Sequence, residues 1–284
     1  HMLMKRIVTS ILFLMCLGCI CFSQETIRCR YDFQFKRFPS AKSYGRDSSM
    51  IAEIQGHKSI FYSEYYYLRD STSEAAIAEG MNHIEAAEQM NRYPRGERVI
   101  FSIDIRDKSY RKHYFSPAVL EGISDELPIP QWNIEDTYAE ICGFSCQKAT
   151  ADYLGRKWTV WFTPEIPVIG GPWLLWGTPG LILEATDEES LFRFTAREVG
   201  RAGFSRSEAI ESRIEERRKR KNTFFSYPIG KMEQIHYNLR VDILFIDNLI
   251  GGGSTVIVDK NGEEVKPSLQ PFIPLIPSEY WKSK

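Results

Sequence analysis

Alternation of apolar and polar positions dominates this chain. In Ile27–Phe38 the side chains of Cys29, Tyr31, Phe33 and Phe35 fall on one face, the two-residue period of a half-buried strand. Ile51–Ile54 and Ser59–Tyr67 continue the pattern around a turn at Gln55-Gly56-His57-Lys58. Asp70–Asn91 changes period. Ile77, Met81 and Ile84 recur at helical spacing behind a capping box at Ser71-Thr72-Ser73-Glu74, and Pro94 and Gly96 close the segment. Val99–Ile105 and Tyr110–Phe115 make a hairpin around Arg106-Asp107-Lys108-Ser109. Tyr138–Tyr153 reads as one long strand, returned by a turn at Leu154-Gly155-Arg156-Lys157 into Trp158–Thr163. Beyond a Pro/Gly-dense loop, Leu181–Ala185 and Leu191–Val199 alternate again across the charged turn Asp187-Glu188-Glu189. Ser205–Lys221 is the second helix, capped by Ser205 with Glu208 three residues on. Leu239–Ile246 and Ser254–Asp259 finish the strands, the latter running into a hairpin turn at Asp259-Lys260-Asn261-Gly262. The tail 266–284 holds four prolines and is expected to lie along the surface. The pattern predicts a mainly β, mainly antiparallel protein with two helices (α+β). No repeat and no internal boundary divides residues 24–284.

The first residues change the picture. Lys5 and Arg6 precede an apolar run from Ile7 to Ile20, and polar residues begin at Ser23. A short charged region followed by ~7–15 apolar residues is the pattern of a secretory signal, too short to span a bilayer comfortably. His1-Met2-Leu3 ahead of Met4 are left out of the fold. Cleavage after Ser23 would start the mature chain at Gln24. The alternative is lipidation at Cys19, which follows Leu17-Gly18 but has Cys16 where a lipobox expects Leu. Losing Lys5 and Arg6 takes the formal net charge from −1 to about −3, which argues against nucleic acid as a partner. Aromatic residues make up 13% of the chain, a composition suited to pleated, half-buried surfaces.

Cleavage after Ser23 leaves Cys29, Cys142 and Cys146. Export puts thiols where disulfides persist, and an odd count leaves one unpaired. On a single strand over 138–150, Cys142 and Cys146 would share a face about 13 Å apart. A disulfide needs Cα atoms within ~7 Å, so only Cys29 with one of the two could bridge. The other readings are small buried hydrophobes or, from the C-x-x-x-C spacing, a metal or redox site, although zinc wants four ligands and usually a tighter spacing.

Residues 132–182 carry a composite pattern: Trp132, Glu135-Asp136, the strand Gly143-Phe144-Ser145-Cys146-Gln147-Lys148-Ala149-Thr150, Gly155-Arg156, Trp161-Phe162-Thr163, Glu165-Ile166-Pro167, Gly171-Pro172, and the hexapeptide Gly177-Thr178-Pro179-Gly180-Leu181-Ile182. This resembles the signature of the GLPGLI family of secreted Gram-negative envelope proteins, with Thr178 standing where the hexapeptide has Leu. The resemblance implies a periplasmic or outer-membrane-associated protein and no particular chemistry. The strand order is also similar to periplasmic carriers of lipidated proteins, which implies a curved antiparallel sheet or half-barrel around a greasy cavity. Physically, Thr178-Pro179-Gly180 supplies a fixed φ followed by a residue that tolerates φ > 0, and Pro164, Pro167 and Pro172 stiffen the approach. A rigid corner results, and it sets Trp173, Leu174 and Trp176 against something. Those side chains either pack on the domain's own core or, with Trp161 and Pro179, form a ligand or partner surface.

Other candidates are sparse. His57, His83, His113 and His236 are scattered; Glu79 and His83 sit one turn apart on the first expected helix; Asp104, Asp107 and His113 flank a hairpin. No G-x-S-x-G elbow occurs, and Gly251-Gly252-Gly253 lacks the residues of a phosphate loop. The run Arg217-Arg218-Lys219-Arg220-Lys221 ends a helix, where cations suit the dipole, and its alternative role is contact with anionic lipid or a partner. Two functions follow. One is a non-catalytic envelope binding or accessory protein, with no cofactor, for an apolar group, a peptide or an outer-membrane protein. The other is a hydrolase whose residues converge only in the fold, with His113 or His236 as base.

Overall fold

A computed structural model of the chain describes residues 25–36, 40–115, 119–219, 224–241, 274–277 and 280. Twelve strands lie in chain order: β1 (Thr26–Phe35), β2 (Gly45–Gln55), β3 (Lys58–Ser63), β4 (Val99–Asp104), β5 (Ser109–Phe115), β6 (Val119–Ser124), β7 (Asn133–Ile141), β8 (Phe144–Tyr153), β9 (Arg156–Thr163), β10 (Leu181–Asp187), β11 (Phe192–Ala202) and β12 (Phe224–Pro228). All join one sheet in the order β12-β6-β5-β4-β3-β2-β1-β11-β10-β9-β8-β7. Every pairing is antiparallel except β12 against β6. The protein is therefore mainly β with one large sheet, as the alternation predicts.

Four helices, not two, stand among the described residues: α1 (Glu64–Ala78), α2 (His83–Met90), α3 (Ser207–Arg218) and α4 (Ile229–Val241). The first expected helix divides in two. Ser63 caps α1, accepting from the Tyr66 amide, so Tyr65, Tyr66 and Tyr67 continue as helix instead of strand. Ser71 to Glu74 lie inside that helix. The capping box belongs to α2, where Asn82 and Glu85 satisfy each other's backbone amides. Glu79 is the cap that ends α1 and His83 the first residue of α2, so these two do not share one helical face. The expected cap of α3 by Ser205 with Glu208 is not formed: the N-cap is Arg206, without a side-chain cap, and the Ser205 hydroxyl accepts from the amide of Ser207, the first helical residue. Leu239 to Val241 belong to α4 instead of opening a strand, and residues 1–24 and the expected strand and hairpin over 254–262 lie outside the described residues.

Tyr138–Tyr153 is not one strand. It breaks at Cys142-Gly143, both at positive φ (55° and 81°), into the β7–β8 hairpin. Leu154-Gly155 (49° and 77°) makes the matching turn into β9. Two consecutive left-handed residues are the requirement of a tight hairpin whose twist matches its strands. This overturns the cysteine geometry. Cys142 sits exposed in a turn, Cys146 and Cys29 are buried, and all three thiols are free.

The sheet has two apolar faces. On one, Ile51, Ile60, Tyr62 and Ile100 pack beneath Ile210 and Ile214 of α3. On the other, side chains of β1, β3, β4, β8–β11 and α4 converge with the Pro/Gly corner in the main core. Gly122 lets α4 approach, since a Cβ there would lie 2.6 Å from Ile229 Cδ1. None of the helices among the described residues is long and apolar enough to cross a membrane.

Candidate functional site: an aromatic cavity beneath the tail

The corner is packed inward. Trp173, Leu174 and Trp176 are buried, Trp161 is half-buried and Pro179 is exposed. The turn is closed by the departure from the hexapeptide, for the buried Thr178 hydroxyl donates to the Gly180 carbonyl at 2.8 Å. Trp132 Nε1 donates to the Trp176 carbonyl at 2.7 Å, and Trp176 Nε1 donates to the Tyr153 hydroxyl at 3.3 Å. Trp173 holds φ at 56°, a left-handed conformation that costs a bulky residue roughly 1–2 kcal/mol and persists only where its surroundings over-determine it. Those surroundings are aromatic: Trp158 at 5.5 Å between ring centroids and Phe101 edge-on at 6.4 Å.

That conformation sets Trp173 in the wall of a cavity. Phe33 and Phe194, stacked at 4.5 Å, and Phe61, edge-on to Phe194 at 5.9 Å, line it with Phe101. Of the candidate ligand residues only Trp173 lines it; Trp161, Leu174, Trp176 and Pro179 do not. Its polar lining is Glu97 and the ion pair of Lys112 Nζ with Glu233 Oε2, at 2.6 Å and nearly buried. The indole N–H of Trp173 and that of Trp158 are buried without an acceptor among the described residues. Such orphan donors are uncommon in protein interiors.

The roof is formed by residues 274–276. Pro274, Leu275 and Ile276 line the cavity, with Ile276 only 3% exposed. Arg156 holds them: its Nε donates to the Leu275 carbonyl and its Nη2 to the Pro274 carbonyl, each at 2.8 Å, while Nη1 reaches Asp187 Oδ2 at 3.2 Å. Burial pushes the Arg156 guanidinium below its usual range, with Asp187 and Glu189 opposing. Under this roof the void is about 70 Å³, space for about two waters' share of liquid volume. Several aromatic positions were legible in sequence, but their convergence depends on a register set across four strands. Arg156 read only as a turn residue.

The outer face offers a second, polar cleft of about 530 Å³ between α3 and β3–β5. His113 lies in it, its Nε2 3.1 Å from the buried Glu121 carboxylate. Burial would raise that carboxyl, but hydrogen bonds from His113, Arg218 and Ser226 bring it down to about 2. The other ring nitrogen of His113 is buried with no hydrogen-bond partner among the described residues, and Glu121 is taken up by both terminal nitrogens of Arg218, at 2.7 and 3.1 Å. Asp104 accepts from the amides of Arg106 and Asp107, a turn-closing role. The side chain of His236 lies outside the described residues. Arg217 donates to Asp70 and Glu74, so the first two cations of the basic run face inward ion pairs; Arg220 and Lys221 lie outside the described residues. No group of three His, Cys, Asp or Glu among the described residues is placed to hold a metal.

By sequence the chain matches no family model and no curated protein. By structure it is similar to PNGF-II, in its P21 and C2 crystal forms alike, with a TM-score of 0.48 and 13% identity over 74% of this chain. The chain spans about a third of the length of PNGF-II, 32%.

Proposed function

We propose that this is a non-catalytic binding protein of the cell envelope, GLPGLI-like and exported, whose ligand is an apolar group carrying a hydrogen-bond acceptor. The observation that carries this reading is the aromatic cavity walled by Trp173, whose indole N–H is buried without an acceptor among the described residues. Apolar rings supply the burial energy, roughly 25 cal/mol per Å² of apolar surface removed from water, and one placed donor supplies orientation. The signature corner then has a purpose besides packing, because it holds Trp173 in a conformation that would otherwise relax. A sheet wrapped around a greasy interior, as in carriers of lipidated proteins, fits the same role. The hydrolase alternative has a histidine–carboxylate pair to support it, but among the described residues no hydroxyl or thiol is hydrogen-bonded to the free ring nitrogen of His113.

The test is native mass spectrometry of the protein from its own envelope, followed by titration with an apolar fluorophore. A bound molecule lost on denaturation, or saturable dye binding that quenches tryptophan emission and weakens in Trp173→Phe, supports the reading. A bare polypeptide that leaves the dye in water even when Leu275→Asp/Ile276→Asp takes the covering segment out of the cavity overturns it.

A further inference from the structure

The tail segment over the cavity behaves like a ligand. It is short, its two successive carbonyls are both held by one guanidinium, and its side chains enter apolar space. We propose that the groove between the Leu154-Gly155 turn and the aromatic cavity is a peptide-binding site occupied in cis by Pro274–Pro277, whose backbone bends at Leu275 and Ile276, and that it takes a bent, proline-flanked aliphatic peptide in trans. This rests on the cavity being the binding site and names the class of its ligand.

Three features of the groove argue for a peptide over other apolar molecules. Arg156 reads main chain, not side chain: its planar fork spans the Pro274 and Leu275 carbonyls and is held by Asp187 from behind. An acyl chain or a hydrocarbon has no pair of carbonyls to offer it. The proline seat is built as well. At Gly155 an added Cβ would lie 3.1 Å from Pro277 Cδ and 3.3 Å from Tyr280 Cβ, so bare backbone makes room for the ring. Side-chain selection follows from the cavity, which buries Ile276 and is sealed at its charged edge by the Lys112–Glu233 pair. Prolines on both sides of the aliphatic pair limit the entropy lost on ordering, as in other proline-rich recognition.

A segment tethered in cis competes at an effective concentration of about 1 mM, so a trans peptide with an intrinsic Kd near 10 μM would bind the intact chain about a hundredfold more weakly. The experiment uses the full chain, a fluorescein-labelled peptide of sequence 274–280, and 1-anilinonaphthalene-8-sulfonate as an apolar probe. In Leu275→Asp/Ile276→Asp, whose tail can no longer enter the cavity, the peptide is expected to bind about ten- to a hundredfold tighter than in the unaltered chain. Adding Arg156→Lys, which keeps the charge beside Asp187 but loses the fork, is expected to remove at least about tenfold of that gain. Pro277→Ala, which loosens the seat without adding charge, is expected to give the same gain at smaller amplitude. A copy of the unaltered chain could supply the same segment. Sedimentation of the two chains mixed separates this source, as a heterodimer, from a separate peptide partner. If the double variant takes up the dye but binds the peptide no better, the peptide assignment falls and the apolar-ligand reading stands. If it takes up neither, both fall.

Discussion

The hydroxyl of Tyr31 donates to the carbonyl oxygen of Ile182 at 2.6 Å, joining β1 to β10 across the intervening strand β11. Between Ile182 and Glu184 the register of β10 against β9 shifts by one residue, and the phenol takes up a carbonyl at that irregularity. Tyr31→Phe would leave the carbonyl buried and unpaired. It is expected to cost about 1–3 kcal/mol, read as a lower urea midpoint at unchanged m-value.

The corner depends on a close approach. A Cβ on Gly180 would meet the Thr163 carbonyl oxygen at 2.0 Å and its carbon at 2.6 Å, backbone atoms that cannot swing away. Gly180→Ala is expected to displace the loop, expose Trp173 and Trp176, and shift tryptophan emission to the red. Thr178→Val, which removes only the hydroxyl that donates to Gly180, should cost roughly 1 kcal/mol with little change in emission. A Gly180→Ala protein with native emission and melting temperature would contradict the packing described.

Thiol reactivity separates the three cysteines among the described residues. Burial pushes the Cys146 thiol up to about 11 and the Cys29 thiol well above its usual range, whereas Cys142 is exposed in its turn. A disulfide-exchange reagent at pH 8 is expected to label Cys142 rapidly in the folded protein, and Cys29 and Cys146 only on unfolding. Peptide mapping showing Cys29 labelled as fast as Cys142 would refute this.

Glu121 makes stability acid-sensitive. Its carboxyl, held at about 2 in the fold, starts from an ordinary value of 4.5, so the unfolded chain binds a proton that the folded chain refuses. The contribution is complete above about pH 4.5 and is lost as pH falls toward 2. The folded protein should therefore weaken most steeply between about pH 4.5 and 2. Glu121→Gln is expected to flatten that slope while costing roughly 3 kcal/mol at pH 7, because His113 and Arg218 lose their partner. An unchanged slope in the variant would assign the effect elsewhere.

How much of this was legible in sequence follows from the range of each cause. The hairpin over Val99–Phe115 and the face of β1 were readable because alternation and turn residues act locally. The helix from Glu64 was hidden: three consecutive tyrosines favour a strand by propensity, and only the cap at Ser63 and packing on Phe115 decide for helix. β7 and β8 merged because Cys142-Gly143 lacks the Asn or Asp that usually marks a tight turn. The aromatic corner was readable as a rigid feature, and the sequence left open whether it faced inward. The cavity itself was not readable. Phe33, Phe61, Phe101 and Phe194 come from four strands, and the roof depends on Arg156 meeting carbonyls 118 and 119 residues further on.

The pairing of β1 with β11 sets the order in which the molecule can assemble. Thr26 faces Ala202, Phe35 faces Phe192, and no strand in between can stand in for β11. β1 can therefore pair with β2 early, while its other edge waits until the chain is made as far as Ala202. Pairings so distant in sequence place folding in the slow range, about milliseconds to seconds, with an unpaired aromatic strand edge open to other chains meanwhile. The roof comes later still, since Pro274–Ile276 is synthesised only after every strand of the sheet. The cavity therefore gains its last wall from the latest described segment of the chain, and it is closed only once Pro274–Ile276 has docked on Arg156.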